Sequence, residues 1–459
     1  MGGVGVKQQE IKKGLWALAD ETRDELLSLC SELIRRPNVN PPIKAREITE
    51  YIERYLKRWG IAYRKLEPYK GKPILVAAVG PSWDFECLKE DGAVPEAAET
   101  AKTAPISENS AVLCINGHTD TVPPGDLSKW DFDPYCGTVT GTQVLGRGSS
   151  DMLCGVAIGL HMARMIAQGR VCIKGGLVLH LVSDEESGGD YGTRWLVEHG
   201  YARGIHGVML PEPTTWNNFE TGQKGGITYK VRCTGSQAHM SVCSFHHDHA
   251  VLKPLSLLKS LEQMRTITAV YSPAQEPVVA YSKEVARQLL KNPDVGDAID
   301  HVTYNVRSVK SGDAQYSPYE LCEAVISFGI PAGVSNVAVK DAFDQLIRQT
   351  GYDGFSYEII RDKEPSLTCA SEPLIARGLE IANELWRHKQ GHVGAVYQWA
   401  GSDAKYYRYA KIPAFQYGPA NIDGVHGYNE CADIEEILNV EKTYWGILSE
   451  LSGARVNEK

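Results

Sequence analysis

The chain has 459 residues, of which 43% are hydrophobic and 23% are charged, and its 57 acidic and 48 basic side chains give a formal net charge of −9. This length exceeds what one ordinary hydrophobic core holds, so we expect two domains. The acidic balance, with no block of lysine and arginine, argues against a nucleic-acid partner.

The apolar segments and the cysteines predict the cellular location of the protein. We find no run of about 18 apolar residues that would span a membrane, and no apolar signal core near the N-terminus. The eleven cysteines are scattered, without a Cys-x-x-Cys pair. Reduced thiols are the simplest interpretation of such cysteines. We therefore expect a cytoplasmic protein without a membrane partner.

The first part of the chain predicts two helices and an insertion. Residues 16–35 have the periodicity of one amphipathic helix, which Pro37 would end. Residues 45–59 predict a second helix with Gly60 as its C-cap. Residues 82–110, rich in Ala, Glu, Pro, Thr and Ser, predict a surface insertion.

Short apolar strands then alternate with helices. The predicted strands are residues 74–79, 111–115, 177–182, 208–210 and 412–417, and the predicted helices are residues 152–168, 193–198 and 434–451. Continuous apolar strands that alternate with helices indicate an α/β domain whose central sheet is mostly parallel and covered on both faces.

The pattern changes between residues 223 and 364. This stretch predicts half-exposed strands and two longer helices in the order β-α-β-β-α-β. We therefore predict a discontinuous α/β domain made of residues 1–222 and 365–459, with an inserted α+β domain at 223–364.

Ionisable residues follow several of the predicted core strands. His118 and Asp120 come after one strand, Glu185 and Glu186 after the next, and Glu212 after a third. Residues two apart in an extended segment point to the same side, so His118 and Asp120 can act together. The carboxyl ends of parallel strands meet at one edge of a sheet, which predicts that all five side chains share one crevice.

A cluster of this kind needs cations. Asp151, which follows a glycine-rich turn, would join the same edge. Carboxylates brought together repel one another unless they are protonated or neutralised. Two Zn²⁺ ions would balance Asp151, Glu186, Glu212 and one hydroxide, and histidine and carboxylate are suitable zinc ligands.

Each motif has an ordinary explanation when it is taken alone. His118-x-Asp120 could be a structural strand-end pair, and Glu185-Glu186 a solvated turn. The glycine turn at 146–148 could be a simple turn or a phosphate cradle, and Glu212 and His426 could be loop residues. Their joint order, with each at the end of a predicted element, favours the metal site.

Five motifs together resemble the dinuclear zinc peptidase/deacylase family, which includes succinyl-diaminopimelate desuccinylase, acetylornithine deacetylase, aminoacylase and glutamate carboxypeptidase. The motifs are His118-Thr-Asp120-Thr-Val-Pro-Pro, Gly146-Arg-Gly-Ser-Ser-Asp151-Met, Asp184-Glu185-Glu186-Ser-Gly-Gly, Glu212-Pro-Thr and His426-Gly-x-Asn-Glu430. The resemblance covers nearly the whole chain.

The resemblance implies a role for each residue in the crevice. Asp120 would orient His118, and Glu185 would be the general base that deprotonates the water between the metals and later protonates the leaving amine. Two Zn²⁺ ions per subunit are implied, with Co²⁺ or Mn²⁺ as substitutes. The implied ligands of one ion are His118, Asp151 and Glu212, and those of the other are Asp151, Glu186 and His426.

The resemblance also implies that the insert is a lid that forms a homodimer. Its segment from Gly235 to His239 matches a family motif whose histidine stabilises the oxyanion, in the same or the partner subunit. The group His246, His247 and His249 further along predicts a polar lid loop or an extra metal or substrate contact.

Substrate recognition departs from the family pattern. The usual Asn-x-x-Pro reads Gln315-Tyr-Ser-Pro318, and the usual arginine position is Gly329. A bidentate carboxylate clamp needs arginine, so the usual substrate carboxylate would be absent or held otherwise. Candidate substrate contacts are Asn305, Ser402 and Gly329.

The function expected from the sequence is metal-dependent hydrolysis of an amide bond in a small N-acyl amine, N-acyl amino acid or related substrate. The alternative is a dipeptidase or carboxypeptidase with the same two-zinc machinery. A non-hydrolytic binding protein is disfavoured because Glu185 and the whole set of implied ligands are intact.

Overall fold

A computed structural model of the protein describes residues 2–41, 45–83, 109–236, 245, 248–311 and 320–457. The chain divides into two compact units. Unit 1 comprises Met1–Thr221, Thr368–Ala395 and Ser402–Lys459, and unit 2 comprises Gly222–Leu367 and Val396–Gly401. The domain boundaries were predicted after residues 222 and 364, and the unit boundaries lie after residues 221 and 367. The short second segment of unit 2 was not predicted.

The helices and strands alternate along much of the chain. The helices are α1 (Gly2–Glu21), α2 (Arg23–Ile34), α3 (Arg46–Arg58), α4 (Cys154–Ala167), α5 (Thr193–Glu198), α6 (Leu252–Ser260), α7 (Glu276–Leu289), α8 (Asn336–Gln349), α9 (Pro373–Leu385), α10 (Ala404–Tyr409) and α11 (Ile434–Leu451). The strands are β1 (Ala62–Tyr69), β2 (Lys72–Val79), β3 (Val112–His118), β4 (Thr138–Val139), β5 (Gln143–Leu145), β6 (Val171–Cys172), β7 (Gly176–Val182), β8 (Gly207–Pro213), β9 (Asn218–Gln223), β10 (Gly225–Thr234), β11 (Thr303–Ser311), β12 (Leu321–Ile330), β13 (Phe355–Lys363), β14 (Ser366–Leu367), β15 (Gly394–Gln398), β16 (Ala414–Gly418), β17 (Cys431–Asp433) and β18 (Arg455–Val456).

The large sheet of unit 1 has the strand order β1-β2-β7-β3-β8-β16-β9. Its centre is parallel, because β3 pairs with β7 and β8, and β8 pairs with β16. The flanks are antiparallel, since β1 and β2 form a hairpin and β2 runs against β7. The predicted α/β class is confirmed, with a mixed sheet whose parallel strands lie in the middle.

The parallel centre is mostly apolar and is buried throughout. Every residue of β3 and of β7 is buried, as expected for strands covered on both faces. Helix α4 is buried along most of its length. The segment Ser149–Ala167, which contains α4, is long and apolar enough to be considered as a membrane span, and 78% of it is buried inside the protein. Packing in the core of unit 1 accounts for that composition.

The prediction of one helix at residues 16–35 is wrong. Two helices cover this region, and α1 begins at Gly2 and ends at Glu21, just before Thr22. The hydroxyl of Thr22 donates to the carbonyl of Leu18 at 2.8 Å. Helix α1 is anchored on α11, where the indole of Trp16 donates to the carbonyl of Lys442 at 2.9 Å. Such tertiary packing overrides the low helix propensity of the glycine-rich start.

Unit 2 contains a four-stranded antiparallel sheet in the order β11-β12-β10-β13. The predicted β-α-β-β-α-β sequence is present, but α7 and a short helical turn, Pro293–Ile299, are inserted between α6 and β11. Helix α7 holds the second segment of unit 2, because the hydroxyl of Ser282 accepts a hydrogen bond from the main-chain nitrogen of Tyr397 at 2.8 Å. That partner is distant in sequence, so local periodicity could not predict the contact.

A close contact between α4 and β8 sets the spacing in unit 1. A Cβ atom at Gly155 would lie 2.5 Å from the carbonyl oxygen of Pro211. We expect Gly155→Ala to destabilise the protein by about 1–3 kcal/mol, the usual cost of overpacking, measured by urea denaturation. Gly141→Ala is the control, because nothing lies within 4 Å of a Cβ there. Equal stability of the two variants would contradict the packing argument.

Candidate metal centre

His118 ends β3 in the middle of the parallel sheet and is only 1% exposed. Its Nδ1 lies 2.8 Å from the main-chain carbonyl oxygen of Asp120 and 3.6 Å from that residue's carboxylate. Asp120 was predicted to orient His118, and its main-chain carbonyl makes the closer contact. A proton on Nδ1 leaves the lone pair of Nε2 directed into the crevice.

Asp120 is itself fixed by Asn40. The amide of Asn40 donates to Oδ2 of Asp120 at 2.8 Å, and the main-chain nitrogen of Glu186 donates to the same oxygen at 3.2 Å. Backbone hydrogen bonds of 2.9 Å join Asn40 to Thr121 and Thr121 to Asn38. Asn40 lies in the loop between α2 and α3, and nothing in the sequence around it indicates this role.

Asp151 lies between the two histidines. It follows Gly148, whose φ of 86° permits the tight turn that brings the aspartate to the edge of the sheet. Its Oδ1 is 2.9 Å from Nε2 of His118, and its Oδ2 is 3.1 Å from Nε2 of His426. One carboxylate oxygen therefore faces each imidazole.

The other two predicted ligands complete two groups. Oε2 of Glu212, near the end of β8, is 3.5 Å from Nε2 of His118. Oε2 of Glu186, in the turn after β7, is 3.1 Å from Nε2 of His426. The structure thus brings all five predicted ligands together. Within each group the potential ligand atoms lie within 4.8 Å of one another, and the groups are His118, Asp151 and Glu212, and Asp151, Glu186 and His426.

Glu185 precedes Glu186 in the same turn and is half-buried. Burial, together with the negative charges of Glu212 and Asp403, raises the pKa of Glu185 well above its ordinary value. A carboxyl group of raised pKa beside the predicted ligands has the character of a proton carrier.

Buried negative charge dominates this edge of the sheet. Burial raises the pKa of Glu212 to about 7 and that of Asp120 to about 6. Burial opposes the charged form of His118, but Glu212 and Asp151 outweigh it and raise the pKa of this imidazole well above its ordinary value. These shifts are those of a site with more carboxylates than cations.

The donor set fits two divalent cations. Imidazole nitrogens and carboxylate oxygens are the ligands that zinc takes in hydrolytic sites. One buried carboxylate oxygen of a predicted ligand, Oε1 of Glu186, has no hydrogen-bond partner in the described part of the chain. Buried polar atoms without a partner are costly, and cations between the ligands would remove most of that cost.

A buried ion pair holds the turn that carries Asp151. The carboxylate of Glu430 accepts hydrogen bonds from the main-chain nitrogens of Gly148, Ser150 and Asp151 at 3.0–3.1 Å and forms an ion pair with Arg147. Glu430 is completely buried. Glu430 belongs to the motif His426-Gly-x-Asn-Glu430, but its role could not be predicted from the sequence.

The predicted substrate contacts lie in different surroundings. Ser402 of unit 1 is 5% exposed, and its hydroxyl donates to the side-chain carbonyl of Gln416. Asn305 is exposed on β11 of unit 2. His239, His246, His247 and the stretch Gln315–Pro318 lie outside the described residues, as does most of the predicted insertion at 82–110, so those predictions stay predictions.

Gly329 of unit 2 adjoins a buried lysine. A Cβ atom at Gly329 would lie 2.6 Å from Oγ1 of Thr303 and 3.5 Å from Nζ of Lys224. Nζ of Lys224 donates to the carbonyls of Ala298 at 2.7 Å and His301 at 2.9 Å, and to Oγ1 of Thr303 at 3.2 Å. An ammonium group has three N–H donors, so those of Lys224 are all used.

A third group of potential ligands, Asp297, Asp300 and His301, lies in unit 2. Nζ of Lys283 is 2.7 Å from Oδ2 of Asp300 and 3.4 Å from Oδ1 of Asp297. His301 is 2.8 Å from the other oxygen of Asp300. The lysine already balances this group, and we infer no metal site from it.

Sequence comparison identifies relatives along the whole chain. A sequence profile of peptidase family M20/M25/M40 matches residues 114–450. An uncharacterized metallohydrolase of Methanocaldococcus jannaschii is 22% identical over 445 residues, which are 93% of this chain and 99% of the relative. The succinyl-diaminopimelate desuccinylase of Blochmanniella floridana is 34% identical over 139 residues, which are 29% of this chain and 36% of that enzyme.

Solved structures share the fold at low sequence identity. An M20 family metallo-carboxypeptidase of Sulfolobus solfataricus has a TM-score of 0.71 at 14% identity, over 93% of this chain and 99% of that one. The dipeptidase Dug1p of Saccharomyces cerevisiae has a TM-score of 0.67 at 13% identity, over 96% and 98%. A dinuclear metal binding M20 peptidase of Bacillus subtilis has a TM-score of 0.62 at 14% identity, over 94% and 98%.

The contacts of Glu430 predict that this residue holds Asp151 in position, and a substitution tests this. Glu430→Ala leaves the guanidinium of Arg147 buried without its carboxylate, so we expect a loss of about 3–5 kcal/mol in the free energy of unfolding, measured with urea. We also expect less bound metal per chain in the folded protein, measured by elemental analysis. Glu50→Ala, which removes an exposed ion pair with Arg46, is the control and should change neither quantity. Full metal content in Glu430→Ala would show that the turn does not need this support.

Proposed function

The chain belongs to peptidase family M20/M25/M40 and is a metallohydrolase, and we propose that it hydrolyses an amide bond in a small N-acyl amine, N-acyl amino acid or related substrate. The observation that carries the proposal is the pair of ligand groups that share Asp151, with Glu185 beside them. The desuccinylase among its relatives supports the N-acyl substrate, since that enzyme's name describes removal of an acyl group.

We propose Zn²⁺ as the metal, with two ions per chain and Co²⁺ or Mn²⁺ as substitutes. The mixture of imidazole and carboxylate donors supports zinc. When bound, two such ions polarise a carbonyl group and lower the pKa of a water molecule. His118, Asp151 and Glu212 would hold one ion, and Asp151, Glu186 and His426 would hold the other.

Glu185 is the proposed general base. Its carboxylate takes a proton from the attacking water, whose oxygen forms a bond to the amide carbon. The same proton then passes from Glu185 to the amide nitrogen as the C–N bond breaks, so the products are a carboxylic acid and an amine. We propose that His239 donates a hydrogen bond to the developing oxyanion, from the same or the partner subunit.

The surroundings of Gly329 bear on the substrate. No side chain extends from this position, and the adjacent ammonium of Lys224 has no free N–H. We therefore propose that the substrate needs no carboxylate at this point. The alternative is hydrolysis of a small peptide, and it is supported by the dipeptidase and the carboxypeptidase among the structural neighbours.

We propose that unit 2 forms a homodimer through β13. This strand lies at an edge of its sheet, and seven of its nine residues are exposed. Tyr357, Ile359 and Ile360 are among them, with Ile360 55% exposed. An exposed edge strand with apolar side chains is a natural pairing surface.

We further propose a cytoplasmic location. The nine cysteines in the described part of the chain are all free thiols, which supports a reducing compartment.

A substrate panel tests the reaction and its specificity. The metal-loaded protein is assayed on N-acyl amino acids, the matching N-acyl amines without a carboxylate, and dipeptides. We expect hydrolysis of N-acyl substrates. Removing the carboxylate should change kcat/KM by less than about tenfold, because no charged hydrogen bond to it is lost. Such a bond is worth about 1.5–3 kcal/mol, and its loss would change kcat/KM by more than about tenfold. Faster cleavage of dipeptides alone would favour the alternative. Absence of hydrolysis of every amide after Zn²⁺ or Co²⁺ is added to chelated protein would refute the proposal.

Glu185→Gln separates the base from the ligands. We expect kcat to fall by at least about 10²-fold, the contribution of general base catalysis, while two metal ions per chain remain bound. Glu186→Gln is the matched control one residue away, and it should lose metal. Loss of metal in Glu185→Gln, with retention in Glu186→Gln, would mean that the two roles are exchanged.

Substitutions on β13 test the dimer. We expect the wild-type protein to scatter light as twice the 50.5 kDa of one chain, and the double variant Ile359→Lys, Ile360→Lys to scatter as one chain. Val337→Lys, at another exposed apolar residue of unit 2, is the control and should remain dimeric. A monomeric wild-type protein at micromolar concentration would contradict the proposal.

A further inference from the structure

We infer that Asp131 and Asn429 form a clasp that positions His426 and thereby sets the affinity of one of the two metal sites. The inference rests on the proposed metal centre, and it adds two positioning residues that lie outside the ligand groups. In the clasp, the side-chain amide of Asn429 donates to Oδ2 of Asp131, and the main-chain nitrogen of Asp131 donates to Oδ1 of Asn429, both at 2.8 Å.

The backbone at His426 needs support. Its φ is 57°, in the left-handed region that non-glycine residues seldom adopt, and Asn429 has the same φ. Residues persist in such conformations when their surroundings hold them there, and they are common at functional sites. The side chain of His426 is 51% exposed, so packing around the ring supplies little of that support.

The imidazole of His426 is less constrained than that of His118. Nδ1 of His118 has the carbonyl of Asp120 as its partner. For His426 the contacts found among the described residues are those of Nε2, at 3.1 Å from Asp151 and from Glu186. Metal-binding histidines are usually oriented by a partner on the second nitrogen. Without one, the direction of this ring depends on the backbone of its loop.

The three residues after His426 are each fixed. The carbonyl of Gly427 accepts a hydrogen bond from Arg147 at 2.6 Å. The ring of Tyr428 would be 3.3 Å from a Cβ at Gly125 and lies edge-on to Trp130, with centroids 6.3 Å apart. Asn429 is held by the clasp.

Of these contacts, the clasp offers the most selective test. Arg147 also pairs with Glu430 behind Asp151, so its loss would affect both metal sites. Asp131 and Asn429 are not members of either ligand group; Asp131 is exposed and Asn429 is half-buried. A substitution there should leave the fold and the His118 group intact.

The experiment measures Zn²⁺ binding by competition with a chromophoric chelator. For the wild-type protein we expect two equivalents per chain. For Asn429→Ala we expect one equivalent to bind about 10- to 100-fold more weakly and the other to keep its affinity, the range for losing a residue that orients a ligand. Asp131→Asn is the conservative variant: its side-chain oxygen still accepts from Asn429, and it should bind both equivalents as the wild type does.

Asn40→Ala is the matched control at the other histidine. It removes the hydrogen bond to Asp120, so it should weaken the equivalent that Asn429→Ala leaves unchanged. The double variant should weaken both. Circular dichroism checks that each variant is folded, and Asp131→Ala replaces Asn429→Ala if the latter is not.

Two results would overturn the inference: equal weakening of both equivalents in Asn429→Ala, or no change in either. These outcomes are independent of the proposed reaction, because binding is measured without substrate. A wild-type protein that binds two Zn²⁺ ions but hydrolyses no amide would refute the proposed function and leave the clasp standing. A wild-type protein that binds only one would refute the clasp, whatever the substrate panel shows.

Discussion

The main constraint on unit 1 is electrostatic: several carboxylates are held close together at one edge of a buried sheet, although their negative charges repel one another. Asp151 directs one oxygen to each of two imidazoles, while Glu212, Glu186 and Glu185 crowd the same space. Left to itself, such a group would separate or take up protons. The parallel strands prevent separation, because their ends are fixed by a core that is apolar on both faces. The remaining charge can then be balanced only by protons or by bound cations.

The ligands are held by two kinds of support. His118 and Glu212 belong to strands, so the sheet itself positions them. Asp151 and His426 belong to loops, where polar contacts replace the sheet. Glu430 connects the two loops, since it lies just after His426 and binds three main-chain nitrogens of the Asp151 turn. Substituting Glu430 would therefore affect both metal positions at once, whereas the Asn429 clasp acts on one.

His118, Glu186 and Glu212 each follow a short apolar strand, and the order of parallel strands places such ends side by side. Asp151 instead follows a glycine-rich turn, and the family resemblance implied the role of His426. The sequence thus indicated the ligands. It could not reveal Asn40 or Glu430 as their supports. Asn40 is 80 residues from Asp120, and Glu430 is 279 residues from Asp151, so only the folded structure brings each pair together. Helices α1 and α7 were missed for a related reason. Each is stabilised by packing on a distant segment, and local periodicity carries no sign of that partner.

In unit 2, the residue at position 329 is related to the packing of its neighbours Thr303 and Lys224. In the sequence, Gly329 occupies the position where the family resemblance predicts an arginine that binds a carboxylate. In the structure, a Cβ atom at this position would lie 2.6 Å from Oγ1 of Thr303 and 3.5 Å from Nζ of Lys224, so a side chain here would require Thr303 to move. Lys224 is in turn committed to two main-chain carbonyls and a hydroxyl, and it braces the start of β11. The glycine therefore packs closely against Thr303, which accepts a hydrogen bond from Lys224. The N–H donors of Lys224 are used within the protein, so this side chain is not free to bind a ligand.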